Sequence, residues 1–260
     1  MSRGPASVDT AMPSRQILVG LPAYNEEIAL PRLLARVEKL RASLPSLSVV
    51  VYNDGSTDST ASVARQWQGR LPLELLDCPQ NKGLGAGLGA LAAHAAARAA
   101  GHDVLVVMDC DDTHDPAQIA DMLARLDAGA DIVIASRYRA GATSSGVPAF
   151  RRLTALGALV LFKAVHPVRG VRDYTCGYRA YRVAALKRAE ARFGAQLVAE
   201  RGFACTVELL LKLHSLGCRF AEIPLRLRYD LKPTASKMGV GSNIARLLSR
   251  LVRWRLRGFG

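Results

Sequence analysis

The sequence predicts an α/β fold with a mostly parallel central sheet and helices on both faces. Three observations predict it. Short β-branched runs alternate with longer helical patterns through the first half of the chain; the runs are apolar nearly throughout, as strands buried on both faces are; and strand-then-helix repetition leaves a parallel sheet as the arrangement that covers them. The strands read as Gln16–Leu21, Ser48–Tyr52, Leu73–Asp77, Val104–Met108 and Asp131–Ala135. The helices read as Glu26–Ala42, Ser59–Gln68, Gly85–Ala100 and Pro116–Leu126, the last capped by Asp115 with Pro116 in its first turn.

The second half is less regular. An Arg-rich loop, Ser136–Pro148, precedes an apolar helix ending near Val165. A short strand or hairpin follows around Asp173–Arg182, then a helix Phe203–Leu216, a strand Arg219–Leu227 and a polar loop Asp230–Ser242. We read residues 1–15 as a flexible tail, 16–241 as one domain and 242–260 as a basic helix, with no internal repeat. In that helix Ile244, Leu247, Leu248, Leu251 and Val252 recur at helical spacing among Arg246, Arg250, Arg253, Arg255 and Arg257. Residues 243–257 thus suit either an anionic membrane surface or packing on the domain with a solvated arginine face.

Composition narrows the function classes. The 260 residues are 50% apolar and 22% charged, enough for one substantial core and incompatible with a largely disordered chain. A net charge of +13 attracts nucleic acid, anionic lipid or phosphorylated substrates alike. No aromatic-studded basic strand, zinc finger or heptad is present to read bases, so a nucleic-acid partner is not expected. The five cysteines, Cys78, Cys110, Cys176, Cys205 and Cys218, are scattered without a Cys-x-x-Cys pair. They argue for reduced thiols and a cytoplasmic location, with a peripheral position on the inner face of the membrane left open. The longest apolar run, Leu153–Val165, carries Thr154 and Lys163 and falls short of the roughly 20 residues of a membrane span.

Ligands of such sheets bind beyond the carboxyl ends of the strands, and there the chain is unusually polar. Strand one runs into Pro22-Ala23-Tyr24-Asn25-Glu26-Glu27, strand two into Asn53-Asp54-Gly55-Ser56-Thr57-Asp58, and strand four into Asp109-Cys110-Asp111-Asp112-Thr113-His114. Asp109 and Asp111 suit a hard cation, Mg²⁺ or Mn²⁺, which takes one or two carboxylates and completes its shell with phosphate oxygens and water. A solvated acidic turn is the plainer reading of the same pattern. Asn81-Lys82-Gly83-Leu84-Gly85 ahead of an Ala-rich helix offers amides and one ammonium to a phosphate; tight helix packing explains its glycines equally well.

The three loops in this order resemble family 2 glycosyltransferases of the GT-A fold. The resemblance implies that Pro22, Tyr24, Glu26 and Asp54 bracket the base and ribose of a nucleotide sugar. It further implies that Lys82 and Cys110 belong to the donor site, and that Asp109 and Asp111 hold the metal on the diphosphate. Further motifs are similar to the polyprenyl-phosphate, dolichyl-phosphate mannosyltransferase-like branch: Asp109 to Pro116, Ser136-Arg137-Tyr138, Asp173-Tyr174-Thr175-Cys176-Gly177-Tyr178-Arg179, Glu222-Ile223-Pro224 and Ser236-Lys237-Met238. That branch implies a lipid-phosphate acceptor held by Arg137, by Arg151 or Arg152, and by Arg179, with Lys237 facing the donor phosphates.

Two positions depart from the pattern. Leu231-Lys232-Pro233-Thr234-Ala235 lacks the arginine usual before Ser-Lys, for which Lys232 or Arg228 would substitute, and Ala155 stands where a serine is usual. The expected reaction is an inverting transfer assisted by Asp111, Arg137 and Lys237. The acceptor is either a polyprenyl phosphate or a soluble small-molecule hydroxyl, the second requiring a base, for which Asp173 is the candidate. A non-catalytic nucleotide-sugar sensor is disfavoured because both Asp109 and Asp111 are present. Donor nucleotide, sugar and oligomeric state are left open.

Overall fold

The computed structural model describes residues 15–98, 103–145, 157, 159–231, 250, 251, 253–255 and 258. A seven-stranded sheet runs β3-β2-β1-β4-β7-β5-β8, built from β1 (Ile17–Ala23), β2 (Leu47–Asp54), β3 (Leu73–Cys78), β4 (Val104–Val107), β5 (Ile132–Ser136), β7 (Arg179–Arg182) and β8 (Phe220–Pro224). All neighbours are parallel except β7, which is antiparallel to both β4 and β5. A second, small sheet pairs β6 (Thr143–Ser145) with β9 (Arg226–Arg228).

Helices α1 (Ala29–Leu40), α2 (Thr60–Trp67) and α3 (Leu84–Arg98) connect the first four strands, and α4 (Ile119–Asp127) leads to β5. Their faces are set by spacing. Leu30, Leu33, Leu34 and Val37 of α1, and Ile119, Met122, Leu123 and Leu126 of α4, form buried stripes at helical period. Asp115 accepts from the Ala117 amide at 3.1 Å and caps the 3₁₀ turn that opens α4, as the sequence suggests. Residues 159–165 form α5, followed by α6 (Val183–Phe193) and α7 (Ala204–Ser215).

Right-handed crossovers fix which face each helix covers. The chain steps outward from β1 to β2 to β3, then returns over the sheet to β4, so α1 and α2 lie on one face and α3 on the other. The reversal opens a crevice beyond the carboxyl ends of β1 and β4, where α/β sheets take their ligands. Pro22–Glu27 and Asp109–Asp112 leave the sheet there.

The Asp173–Arg182 stretch takes the short-strand alternative, not the hairpin. Its last four residues insert as β7 between β4 and β5, and α6, which the sequence reading passed over, follows at once. The tail expected over 1–15 lies outside the described residues except for Arg15, which pairs with Asp127. Of the basic terminal helix, Leu251 and Trp254 are buried in the core and Arg253 and Arg255 are exposed. His166 Nε2 lies 3.1 Å from the Leu251 carbonyl. These residues follow the packing alternative. Among the described residues no helix is long and apolar enough to cross a membrane.

Candidate active site

The first two loops are laced together. The amides of Asn25 and Glu26 donate to Ser56 Oγ (2.9 Å) and Thr60 Oγ1 (2.8 Å), and the Thr57 and Ser59 amides return to Asn25 Oδ1 (2.8 Å) and Glu27 Oε2 (2.9 Å). Asn25 takes a left-handed backbone, φ 55°, which its short amide side chain tolerates. Tyr24 remains 39% exposed.

Asp54, 6% exposed, accepts the Lys82 and Gly83 amides at 2.7 and 2.8 Å. The carboxylate therefore buckles the loop after β2 to the loop before α3, rather than lying open to a nucleoside as expected. Gly55 permits this closeness: a Cβ there would sit 2.5 Å from the Asn81 amide nitrogen, at φ +65°. Lys82 itself is exposed.

The acidic loop is pinned from three sides. Arg36 on α1 donates to Asp112 Oδ1 at 2.7 Å and to Asp115 Oδ1 at 3.0 Å, which supports Asp112 at φ 60°. Thr113 donates its amide and hydroxyl to Asp111 Oδ1 at 3.2 and 2.7 Å. The Asp109 amide donates to His114 Nδ1 at 3.1 Å, so the imidazole carries its proton on Nε2, 3.9 Å from Asp109 Oδ2. His114 stacks on Tyr178 at 4.9 Å between ring centroids, and the Tyr178 hydroxyl donates to the Asp115 carbonyl at 2.9 Å.

The donor set fits a hard divalent cation. The Asp109 side chain is 44% exposed at the crevice and Asp111 stands two residues on, 9% exposed. The Cys110 thiol reports the local field: burial first, then the carboxylates of Glu26, Asp111, Asp109 and Asp112, push its pKa well above the usual value. Cys110, 3% exposed, is buried between the two aspartates. Among the described residues no three Asp, Glu, His or Cys side chains form a complete metal cage. Mg²⁺ or Mn²⁺ takes one or two carboxylates alongside phosphate oxygens and water, and Asp109 and Asp111 would supply them.

On the other side of the crevice Arg137, just after β5, is tied to Asp173. Its amide and Nε donate to Asp173 Oδ2 at 3.0 and 2.8 Å, and Nη2 donates to Oδ1 at 2.6 Å and to Thr175 Oγ1 at 2.5 Å. Glu222 Oε1 accepts the Arg172 and Asp173 amides at 2.6 and 2.8 Å and anchors the turn. The turn then runs to Gly177, where a Cβ would come within 3.3 Å of Asp109 Oδ1. One short segment thus spans from the arginine to the acidic loop.

Two expectations change here. Asp173 is fully buried (0% exposed), and although burial alone would raise its carboxyl, the Arg137 guanidinium and the surrounding hydrogen bonds hold it below its ordinary 3.8. A shielded, strongly ionised carboxylate is a poor base. Arg179 is no acceptor ligand either: 0% exposed, it donates to the carbonyls of Cys176 (2.8 Å), Thr206 (2.7 Å) and Tyr174 (2.6 Å). Arg151, Arg152 and Lys237 lie outside the described residues. Arg228 is paired with Asp230 at 2.8 Å.

A carboxyl depressed in the fold stabilises it above the unfolded pKa, and that stabilisation drains away as pH falls through the folded value. The urea midpoint of the native protein is therefore expected to drop on acidification below about pH 4. In Asp173→Asn the midpoint starts lower at neutral pH and the acid-side drop is shallower; an unchanged drop would contradict the assignment.

A switch-point crevice fed by three polar loops, one of them acidic, marks a GT-A glycosyltransferase. Residues 18–189 match Glycosyl transferase family 2, and the chain belongs to that family. It is 30% identical over 249 residues to the polyprenol monophosphomannose synthase of Mycolicibacterium smegmatis, covering 96% of this chain and 90% of that one. It is 29% identical to the undecaprenyl-phosphate mannosyltransferase of Micrococcus luteus, covering 93% of this chain and 94% of the relative. Among solved structures, the glucosyl-3-phosphoglycerate synthase of Mycobacterium tuberculosis with Mn²⁺, UDP-glucose and phosphoglyceric acid superposes with a TM-score of 0.65. That match is 21% identical and covers 95% of this chain and 80% of that one.

Proposed function

We propose that the protein is a metal-dependent, inverting glycosyltransferase that moves a hexose from a nucleoside diphosphate sugar to a polyprenyl phosphate. What carries the reading is that the loops bearing Tyr24, Lys82, Asp109 and Asp111 all follow the carboxyl ends of parallel strands β1, β3 and β4, in a chain alike over nearly its full length to enzymes named for polyprenyl-phosphate mannosyl transfer. Asp109 and Asp111 would hold Mg²⁺ or Mn²⁺, which supplies charge neutralisation on the departing diphosphate. Tyr24 packs on the base, the Pro22–Glu26 loop walls the ribose, and Lys82 adds a positive charge beside the phosphates. Lys237, and Arg151 or Arg152, are further proposed contacts from the family pattern.

The buried state of Asp173 favours a phosphate acceptor over a hydroxyl. A hydroxyl needs a base, and the candidate base is held ionised and shielded. A phosphate is already an anion at neutral pH and needs orientation only, which Arg137, stiffened by Asp173, supplies. A lipid acceptor puts the enzyme at a membrane surface as a peripheral protein.

The test is nucleoside diphosphate release from a panel of GDP- and UDP-sugars with Mg²⁺ or Mn²⁺, with and without polyprenyl phosphate. Metal-dependent release stimulated by the lipid is expected, and the active sugar identifies the donor. Release stimulated by a soluble hydroxyl compound and not by the lipid overturns the acceptor; no release with any donor overturns the whole reading.

A further inference from the structure

The loop that presents Lys82 is gripped on its outer side by a segment from late in the chain, residues 196–201. Gly85 donates its amide to the Arg201 carbonyl at 3.0 Å, and Arg201 Nε donates to the Lys82 carbonyl at 3.2 Å. The approach is so close that a Cβ on Gly85 would sit 1.7 Å from the Glu200 carbonyl oxygen, and one on Gly83 2.6 Å from that of Arg201. One turn further on, a Cβ on Gly89 would touch Val198 at 3.6 Å. Gly87 faces the other way, against Tyr52 and Pro22. The glycines at 83, 85 and 89 therefore clear a track for this segment, which is neither a phosphate signature nor sheet packing.

The segment has its own anchor. Helix α7 is buried from Cys205 to Leu213, including two charged residues, Glu208 and Lys212, each side chain 4% exposed. Glu208 Oε2 accepts the Ala199 and Glu200 amides, both at 2.9 Å; Oε1 pairs with Lys212 Nζ at 2.7 Å, and Lys212 also donates to the Gln196 carbonyl. A buried ion pair that also hydrogen-bonds the backbone of Gln196, Ala199 and Glu200 fixes that loop's conformation more than it stabilises the helix. At its outer edge Glu200 pairs with Arg250 at 2.8 Å, on the terminal helix whose Leu251 and Trp254 are buried.

We propose that residues 196–201 are a strap that sets the donor loop Lys82–Gly85, with Glu208 as its buried positioning residue and the Glu200–Arg250 ion pair as its outer tie. The strap works opposite Asp54, which holds the Lys82 and Gly83 amides from the sheet side. Both Glu208 and Arg250 are assigned an indirect role, through the position of Lys82. The link to donor binding rests on the function proposed above.

Two readouts on the full chain test it. Amide hydrogen exchange across residues 82–86, without ligand, is expected to accelerate about tenfold in Glu208→Gln, which keeps the shape but weakens the acceptor. Arg250→Ala spares the core, and is expected to raise the donor KM about threefold, as suits a part-exposed ion pair, with acceptor KM and melting temperature unchanged. The reciprocal double variant Glu200→Arg, Arg250→Glu should restore it. Unchanged exchange at 82–86 in both single variants overturns the strap, as does an equal rise in both KM values with a fallen melting temperature. A native protein that binds no nucleoside diphosphate overturns the functional reading instead, and the exchange experiment still decides on the strap.

Discussion

Asp111→Asn is expected to lower transfer by about 10²- to 10³-fold, the usual loss when one preorganised electrostatic partner of a developing charge is removed. The substitution keeps an oxygen for the Thr113 amide and hydroxyl, which Asp111 Oδ1 now accepts at 3.2 and 2.7 Å, so the loop holds its shape. What goes is one negative charge from a loop in which burial, and then four carboxylates, raise the Cys110 thiol. The melting temperature is therefore expected to stay put, while calorimetric Mn²⁺ binding in the presence of nucleoside diphosphate weakens in parallel with activity. Asp111→Ala gives the same loss of activity together with about 1–2 kcal/mol of destabilisation, because the buried Thr113 amide loses its acceptor. Activity retained in the asparagine variant would remove Asp111 from the metal site.

Arg179→Met should act in the opposite way, on the fold and not on the acceptor. The guanidinium is wholly buried and satisfies three carbonyls, tying the turn at Tyr174 and Cys176 to Thr206 of α7. Methionine fills part of the volume but removes all three donated hydrogen bonds from a buried site, at about 3–5 kcal/mol. For a protein of this size that corresponds to a melting temperature lower by about 10 °C. Lysine at 179 offers one compact donor group in place of a planar fork and recovers only part of the loss. An acceptor-binding arginine would instead show an unchanged melting curve and a raised acceptor KM.

Arg179 also shows where sequence reading reaches and where it stops. The five parallel strands of the first half and their helices were legible because burial on both faces leaves apolar runs, and amphipathic stripes such as Leu30, Leu33, Leu34 and Val37 have a fixed period. The polar loops were legible because they interrupt that pattern at strand ends. The hand of β7 was not: a four-residue strand carries no mark of direction, and Arg-Ala-Tyr-Arg looks like an exposed edge although Arg179, Ala180 and Tyr181 are buried. The destination of a polar side chain was equally hidden. Asp54, Asp173 and Arg179 all sit in recognisable motifs, and all three hold backbone or a neighbouring charge. Glu208 and Lys212, four apart in an otherwise apolar helix, were a readable sign of a buried pair, but nothing local says which loop they anchor.

The antiparallel β7 strand has a consequence for how the molecule is made. Until it inserts, β4 is an unpaired edge, and β4 is wholly apolar, Val104 to Val107, with every residue buried in the finished sheet. The ribosome delivers β1 to β4 as a half-sheet and must then add the whole stretch up to Arg182, seconds of synthesis, before the seam can close. A nascent chain stalled in that interval presents a sticky apolar edge of the kind that pairs with other chains. Refolding from denaturant meets the same barrier as slow, long-range strand docking, and high protein concentration during refolding should divert the chain into aggregates before the seam closes.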